Sequence, residues 1–194
     1  MRVLVIYSHP VETSYCAALH AQVVESLRAA GHEVDDCDLY AEDFNPVLSR
    51  AERLGYHDIP ANRAPVEAYV ERVERADALV LCFPTWCFGM PAMLKGFFDR
   101  VFLPGVAFDM SDPANVKPAL THLKRIAAVV TYGRPRWAAI AMGDPPRKVV
   151  TRYLKRLSGG ARVDYHAYYH MNIATRPQLD RFRQRVGAAM ARLR

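Results

Sequence analysis

The stretch DALVLCFPTWCFGMPAMLKGFFDR, Asp77 to Arg100, changes character twice. It opens on an unbroken apolar run, Ala78 to Phe83. A turn follows with two aromatics, Trp86 and Phe88, set among Pro84, Gly89 and Pro91. From about Pro91 to Phe102 the spacing becomes helical: Leu94, Phe97 and Phe98 form a core side, and Lys95 and Asp99 an i, i+4 surface pair. A strand that is apolar at every position is buried on both faces. That is the habit of a parallel sheet covered by helices.

The same alternation runs outward in both directions. Toward the start, VLVIY (Val3 to Tyr7) is a β-branched strand. The segment from Ser14 places Leu19, Val23, Val24 and Leu27 on one side of a helix, with Thr13 or Ser14 as its cap and Gly31 as its end. HEVDDCDLY (32–40) is a second, weaker strand. Residues 41–65 read as a loop with three prolines, and VEAYVERVERA (66–76) as a short helix. Toward the end, residues 103–122 read as a loop and RIAAVVTY (125–132) as the fourth strand. DPPRKVVTRYLKRLSGG (144–160) reads as a helix, ARVDYHAYYHMN (161–172) as the fifth strand, and TRPQLDRFRQRVGAAMARL (175–193) as a closing helix. Five strands interleaved with helices, joined by right-handed crossovers, make a doubly wound α/β fold.

A chain of 194 residues with a 24% charged fraction fits one domain, 1–194. No apolar stretch spans a bilayer, and MRVLVIYSHP reads as a first strand, not a signal peptide. Cys16, Cys37, Cys82 and Cys87 contain no C-x-x-C pair and read as reduced thiols of a cytoplasmic protein. The formal net charge is +6, with much of the excess in the last helix. That pattern reads as Arg on a wet face; no nucleic-acid recognition motif accompanies it. His166 and His170 read as strand packing rather than metal ligands, and Cys87 as an inert loop thiol.

Doubly wound sheets bind ligands beyond the carboxyl ends of their strands, where strand order reverses. In the order 2-1-3-4-5 that point lies between strands one and three. The loops there are SHPVETS, PTWCFGM and YGRPRW. The first contains no glycine, which argues against a dinucleotide G-x-G-x-x-G turn. It is instead a hydroxyl-rich turn that opens a helix. Free N–H groups and the helix dipole suit a phosphate there, with Thr13, Ser14 and the ring of His9 as added donors. The plainer alternative is that Thr13 and Ser14 only cap the helix and His9 only shapes the turn.

Three pieces, SHPVETSY, DLYAEDFNPVLSR and ADALVLCFPTWCFGMPAMLKGFFDRVFLPGVAF, resemble the NAD(P)H:quinone oxidoreductases with a flavodoxin-like fold. They span most of the first 110 residues in the family's order. The resemblance implies a flavodoxin-like three-layer sandwich with a non-covalent flavin. His9, Thr13, Ser14, Tyr15 and Cys16 would hold its phosphate end. Pro84, Thr85, Trp86, Cys87 and Phe88 would wrap the isoalloxazine, with Gly89 letting the chain turn beside it. Thr131, Tyr132, Gly133 and Arg134 would line the ring's other edge. Tyr132, Arg134 or Trp137 would stand beside the nicotinamide. Two departures mark this chain: mammalian relatives carry a polar residue and then Trp at Trp86 and Cys87, and two threonines and two glycines where TYGRP stands. The activity implied is ping-pong hydride transfer from NADPH or NADH to a quinone-like acceptor, by a homodimer with no bound metal. FMN is expected over FAD because the loop from Tyr56 to Pro65 is short; Arg134 and Arg136 favour NADPH. Two other classes stand beside this one. A flavin-binding ancillary subunit of a membrane transport system would turn over NAD(P)H negligibly. An electron-carrier flavodoxin would be acidic rather than basic.

Overall fold

Five parallel strands form where the apolar runs predict them. They are β1 (Arg2–Tyr7), β2 (Glu33–Asp38), β3 (Ala78–Pro84), β4 (Arg125–Thr131) and β5 (Arg162–Tyr168) in a computed structural model that describes residues 1–194. They pair in the order β2-β1-β3-β4-β5, all parallel. β3 is buried at every residue because it lies in the middle. Alternate side chains of each strand enter opposite layers: Leu79, Leu81 and Phe83 one, Ala78, Val80 and Cys82 the other.

The first layer is covered by α3 (Glu67–Arg75), α4 (Ala92–Val101) and a helix we label α6. α6 is α-helical over Pro145–Lys148, π-helical over Val149–Leu154 and α-helical over Lys155–Leu157. The second layer is covered by α1 (Tyr15–Ala29) and the last helix, α7 (Arg176–Met190). α7 buries Phe182, Val186 and Met190 and leaves Arg176, Arg181 and Arg185 exposed, the amphipathic arrangement expected of it. Lys95 pairs with Asp99 at the surface of α4 while Leu94, Phe97 and Phe98 are buried.

Several segments differ from expectation. The loop 41–65 contains a short helix, α2 (Arg50–Leu54), closed by a capping box between Ser49 and Glu52. A second unforeseen helix, α5 (Arg136–Ala141), follows β4 directly. The loop 103–122 carries a small antiparallel ribbon, Phe108–Asp109 against Lys117–Pro118. β5 stops at Tyr168, because His170 turns into the left-handed region (φ 61) and Met171–Ile173 form a 3-10 turn. His166 and His170 are therefore not partners on one strand, and no three His, Cys, Asp or Glu residues converge as metal ligands. No helix is long and apolar enough to cross a membrane.

The register sets the ends of β3 and β4 level, with β1 ending two residues earlier. Tyr7 pairs with Cys82, Cys82 with Val129, and Pro84 with Thr131. The segments that leave β1, β3 and β4 thus emerge side by side at the point where strand order reverses.

Candidate functional site

The first segment is fixed at both ends. Ser8 N–H donates to Cys82 O at 3.1 Å, and Ser14 N–H donates to Val11 O at 3.2 Å. Val11 N–H donates to His9 Nδ1 at 3.0 Å, so a neutral His9 ring carries its proton on Nε2 and offers it as a donor. Ser14 is the N-cap of α1, its Oγ accepting from Ala17 N–H at 3.0 Å. The cap satisfies one donor of the first turn. The N–H groups of Thr13, Tyr15 and Cys16 have no protein acceptor. Capping and anion binding are thus compatible uses of this turn. A 180 Å³ cavity beside it is lined by Thr13, Ser14 and Tyr15, with Arg176 and Arg183 from α7.

Two expected contacts are narrowed by the packing. The Tyr15 hydroxyl donates to Leu179 O at 2.7 Å, and its ring meets Tyr168 edge-on. Cys16 is buried in the α1 layer, where burial pushes its thiol up to about 12. Cys16 has only its backbone N–H to present to a ligand, and Tyr15 its backbone N–H and the half-buried ring.

The segment after β3 is held by Thr85, whose N–H and hydroxyl both donate to Thr131 O, at 2.8 and 3.1 Å. Trp86 and Gly89 then exchange two backbone bonds, 3.1 and 2.8 Å, around a tight turn. Its central residues, Cys87 (φ 51) and Phe88 (φ 59), both have positive φ, the pattern of a type I′ turn. Such turns favour Asn and Gly, so two ordinary side chains are held here against their preference, at about 1–2 kcal/mol each. Gly89 does not have a positive φ, and a Cβ there would meet only Trp86 O at 3.5 Å. The turn therefore does not depend on Gly89 for its shape, contrary to expectation. The N–H groups of Cys87 and Phe88 have no protein acceptor. Trp86 is 41% exposed, and its ring stands 5.8 Å from that of His9, so the first and third segments meet at these two side chains.

The segment after β4 is tied to the end of β5. Tyr132 N–H donates to Tyr168 O, Met171 N–H to Tyr132 O, and His170 N–H to Arg134 O, at 2.8, 2.9 and 3.0 Å. The N–H groups of Gly133 and Arg134 are left without acceptors. Arg134 and Arg136 are exposed, and Trp137 is 69% exposed on α5. Tyr132 does not reach the site: it is 1% exposed, with its hydroxyl bonded to Asp144 and Tyr165. Its assignment beside the nicotinamide is corrected, because it has the same parity along β4 as Ile126, Ala128 and Val130 and follows them into the core.

The site thus gathers unpaired backbone N–H groups from three segments at the ends of the central strands. Three buried hydroxyls, Tyr7 Oη, Ser8 Oγ and Thr131 Oγ1, also have no partner. Buried polar groups are ordinarily paired, so their concentration at the ends of β1 and β4, on either side of β3, suits a polar ligand. The donor set fits a flavin: anion-binding N–H groups at one end, N–H groups for the polar ring edges at the other, and exposed aromatics between.

Residues 1–190 match the model of a family described as having a flavodoxin-like fold. NAD(P)H dehydrogenase (quinone) 1 of Cavia porcellus is 36% identical over 148 residues, covering 68% of this chain and 54% of that protein. The chain thus spans about half the length of the first curated relatives it matches. A solved NAD(P)H:quinone oxidoreductase from Methanothermobacter marburgensis superposes with a TM-score of 0.85 at 25% identity, covering 100% of this chain and 99% of that one. An FMN-dependent NADH-azoreductase from Bacillus anthracis, solved in complex with FMN, shares the fold at a TM-score of 0.78 and 15% identity, over 99% of each chain.

Proposed function

The chain belongs to the flavodoxin-like fold family, and on that premise we propose that it is a flavin-dependent NAD(P)H oxidoreductase reducing quinones or similar acceptors. The observation that carries this reading is the set of unpaired N–H groups at the ends of the central strands. Those of Thr13, Tyr15 and Cys16 lie at the start of a 15-residue helix; those of Cys87, Phe88, Gly133 and Arg134 lie in the two neighbouring turns. The names of the Cavia and Methanothermobacter relatives point the same way.

A bound flavin would supply the electron relay between nicotinamide nucleotide and acceptor, so the chain need not supply a redox group. Its own work is positioning and electrostatics. The α1 turn holds the phosphate with main-chain N–H groups, the hydroxyl of Thr13 and Nε2–H of His9. Pro84, Thr85, Trp86 and Phe88 pack along the ring, and Cys87 and Phe88 N–H bond one polar edge. Gly133 and Arg134 N–H would serve the other polar edge, as fixed donors that could stabilise negative charge on a bound flavin without reorganising. Arg134 and Trp137 stand beside the site, where nucleotide and acceptor take turns.

We assign FMN rather than FAD, as the FMN complex of the azoreductase neighbour also suggests, and a cytoplasmic setting for the four free thiols. We assign a homodimer, with the 500 Å³ apolar groove lined by Tyr56, Met90, Phe98, Phe102 and Phe108 as the face for the second copy.

Two substitutions test this reading. Trp86 is too exposed to be a core residue, so Trp86→Ala leaves the melting temperature nearly unchanged. FMN binding weakens tenfold or more, since an aromatic contact contributes about 0.5–1.5 kcal/mol beyond its buried area. FMN titration with oligomer size checked by sedimentation decides it; a folded variant of unchanged size, affinity and absorbance spectrum refutes the ring cradle. Arg134 and Arg136 are exposed beside the site and suit the 2′-phosphate of NADPH. The expected result is a higher kcat/KM for NADPH than for NADH, with a ratio that falls toward one in the Arg134→Ala, Arg136→Ala double variant. Equal values in the unmodified protein, or a ratio unmoved by the substitutions, exclude that role.

A further inference from the structure

Tyr132 ends β4 with its side chain turned away from the site, yet its main chain leads directly to the unpaired N–H groups of Gly133 and Arg134. Its hydroxyl donates to Asp144 Oδ1 at 2.7 Å and lies 2.6 Å from the hydroxyl of Tyr165. With the Tyr132 proton committed to Asp144, Tyr165 is the donor of the second bond. The three groups form one chain, Tyr165 to Tyr132 to Asp144, that joins β5, the exit of β4 and the N-cap of α6. Asp144 is 8% exposed and Tyr132 1%. The Tyr169 ring lies against Tyr132 at 4.5 Å, and the Arg147 guanidinium lies 4.9 Å over the Tyr165 ring.

We propose that Tyr132, Tyr165 and Asp144 are positioning residues that hold the Gly133 and Arg134 N–H groups in fixed aim at the polar edge of the flavin. The proposal rests on the flavin reading above. Preorganised donors stabilise developing charge because they pay no reorganisation at the moment of reaction. The turn that carries these two contains Gly133, the residue with most conformational freedom to lose, so it needs an external anchor. The main-chain bonds to Tyr168, Met171 and His170 tie the turn only to the end of β5 and the chain that follows it. The phenol chain ties it to a helix start as well. Burial raises both phenols above their ordinary range, so both keep the protons the chain requires. Asp144 itself holds a left-handed backbone, φ 46 and ψ 58. Such a conformation persists in a non-glycine residue only where its surroundings over-determine it. The hydrogen bond that it accepts is one such constraint.

The test compares Tyr132→Phe, Asp144→Ala and Asp144→Asn with the unmodified protein. Tyr132→Phe removes one hydroxyl and keeps the ring stacked on Tyr169. Asp144→Asn keeps an acceptor and tolerates the left-handed backbone. FMN affinity, the two-electron reduction potential of bound FMN and the melting temperature are measured for each. Tyr132→Phe and Asp144→Ala weaken FMN binding about tenfold, the size of one buried hydrogen bond. They also lower the potential by about 30 mV, because the reduced state loses about tenfold more than the oxidised one. Asp144→Asn restores most of both. A fall in melting temperature with affinity and potential unchanged overturns the proposal and leaves the chain a plain structural element. Where Asp144→Ala or Tyr132→Phe does not fold, Tyr165→Phe keeps the Tyr132–Asp144 bond; a shift of the same sign and about threefold size supports positioning, and no shift overturns it. An unmodified protein that takes up no FMN overturns the flavin reading and this proposal together. Normal uptake with unchanged variants overturns only the positioning role.

Discussion

Ser14→Asp weakens FMN binding about a hundredfold while leaving α1 intact. Ser14 Oγ accepts from Ala17 N–H, and an aspartate carboxylate does the same at an N-cap. It is also favoured by the helix dipole, so the melting temperature holds or rises. The same carboxylate stands beside the N–H groups of Thr13, Tyr15 and Cys16 that the phosphate needs and faces it with like charge. Two unit charges about 5 Å apart at an effective dielectric of about 20 repel by roughly 3 kcal/mol, close to the 2.7 kcal/mol of a hundredfold loss. Thr13→Asp acts in the same direction from the exposed side of the turn. Raising the salt concentration narrows the difference, because the repulsion is partly screened. Fluorescence recovery on titrating FMN gives both dissociation constants. Equal constants in the two proteins, with α1 still folded, put the phosphate somewhere other than this turn.

Gly96→Ala destabilises the protein, although alanine is the better helix former by about 1 kcal/mol. A Cβ on Gly96 would lie 2.2 Å from Pro46 O and 2.4 Å from Pro46 Cβ, distances no real contact allows. The segment 44–49 crosses α4 against the bare glycine and is fastened there by Arg100. The Arg100 guanidinium donates to Asn45 O and pairs with Glu52, and it lies over the ring of Phe44. Inserting one methyl forces the backbone of that segment away from α4, and overpacking of this kind costs about 1–3 kcal/mol net. For a chain of this size the melting temperature falls by about 2–4 °C per kcal/mol. Thermal unfolding measures it directly. A melting temperature raised by the alanine would mean that the segment does not rest on α4.

The strands were legible because a central parallel strand must be apolar on both faces, and VLVIY, ALVLCF and IAAVV are. Handed crossovers pointed to the doubly wound class, the order 2-1-3-4-5 belongs to the flavodoxin-like resemblance, and the three converging loops follow from the point where that order reverses. Ser14 was legible as a cap because a hydroxyl stood before the first helical repeat. The capping box of α2 was equally open to reading, since Ser49 and Glu52 have the right spacing, but the prolines around it obscured a helix of five residues. α5 was lost for a similar reason: it is six residues long, between Pro135 and Gly143, with no side-chain cap. The turn at Cys87 and Phe88 could not be read, because its sequence is the opposite of what a type I′ turn prefers. The glycine of the stretch, Gly89, is not a residue that the turn geometry requires. Tyr132 was misplaced by its loop; counting by twos from Ile126 sends it into the core. Nothing in the local sequence marks the π-helical stretch of α6.

The function proposed requires that the ends of the central strands hold a flavin. The most direct measurement is the visible absorbance spectrum of the purified protein, followed by mass identification of whatever heat or acid releases from it. Flavin bands with FMN as the released compound, or their appearance and a quenched FMN fluorescence when FMN is added to colourless protein, are the expected result. A folded protein that is colourless and leaves added FMN fluorescence unchanged contradicts it.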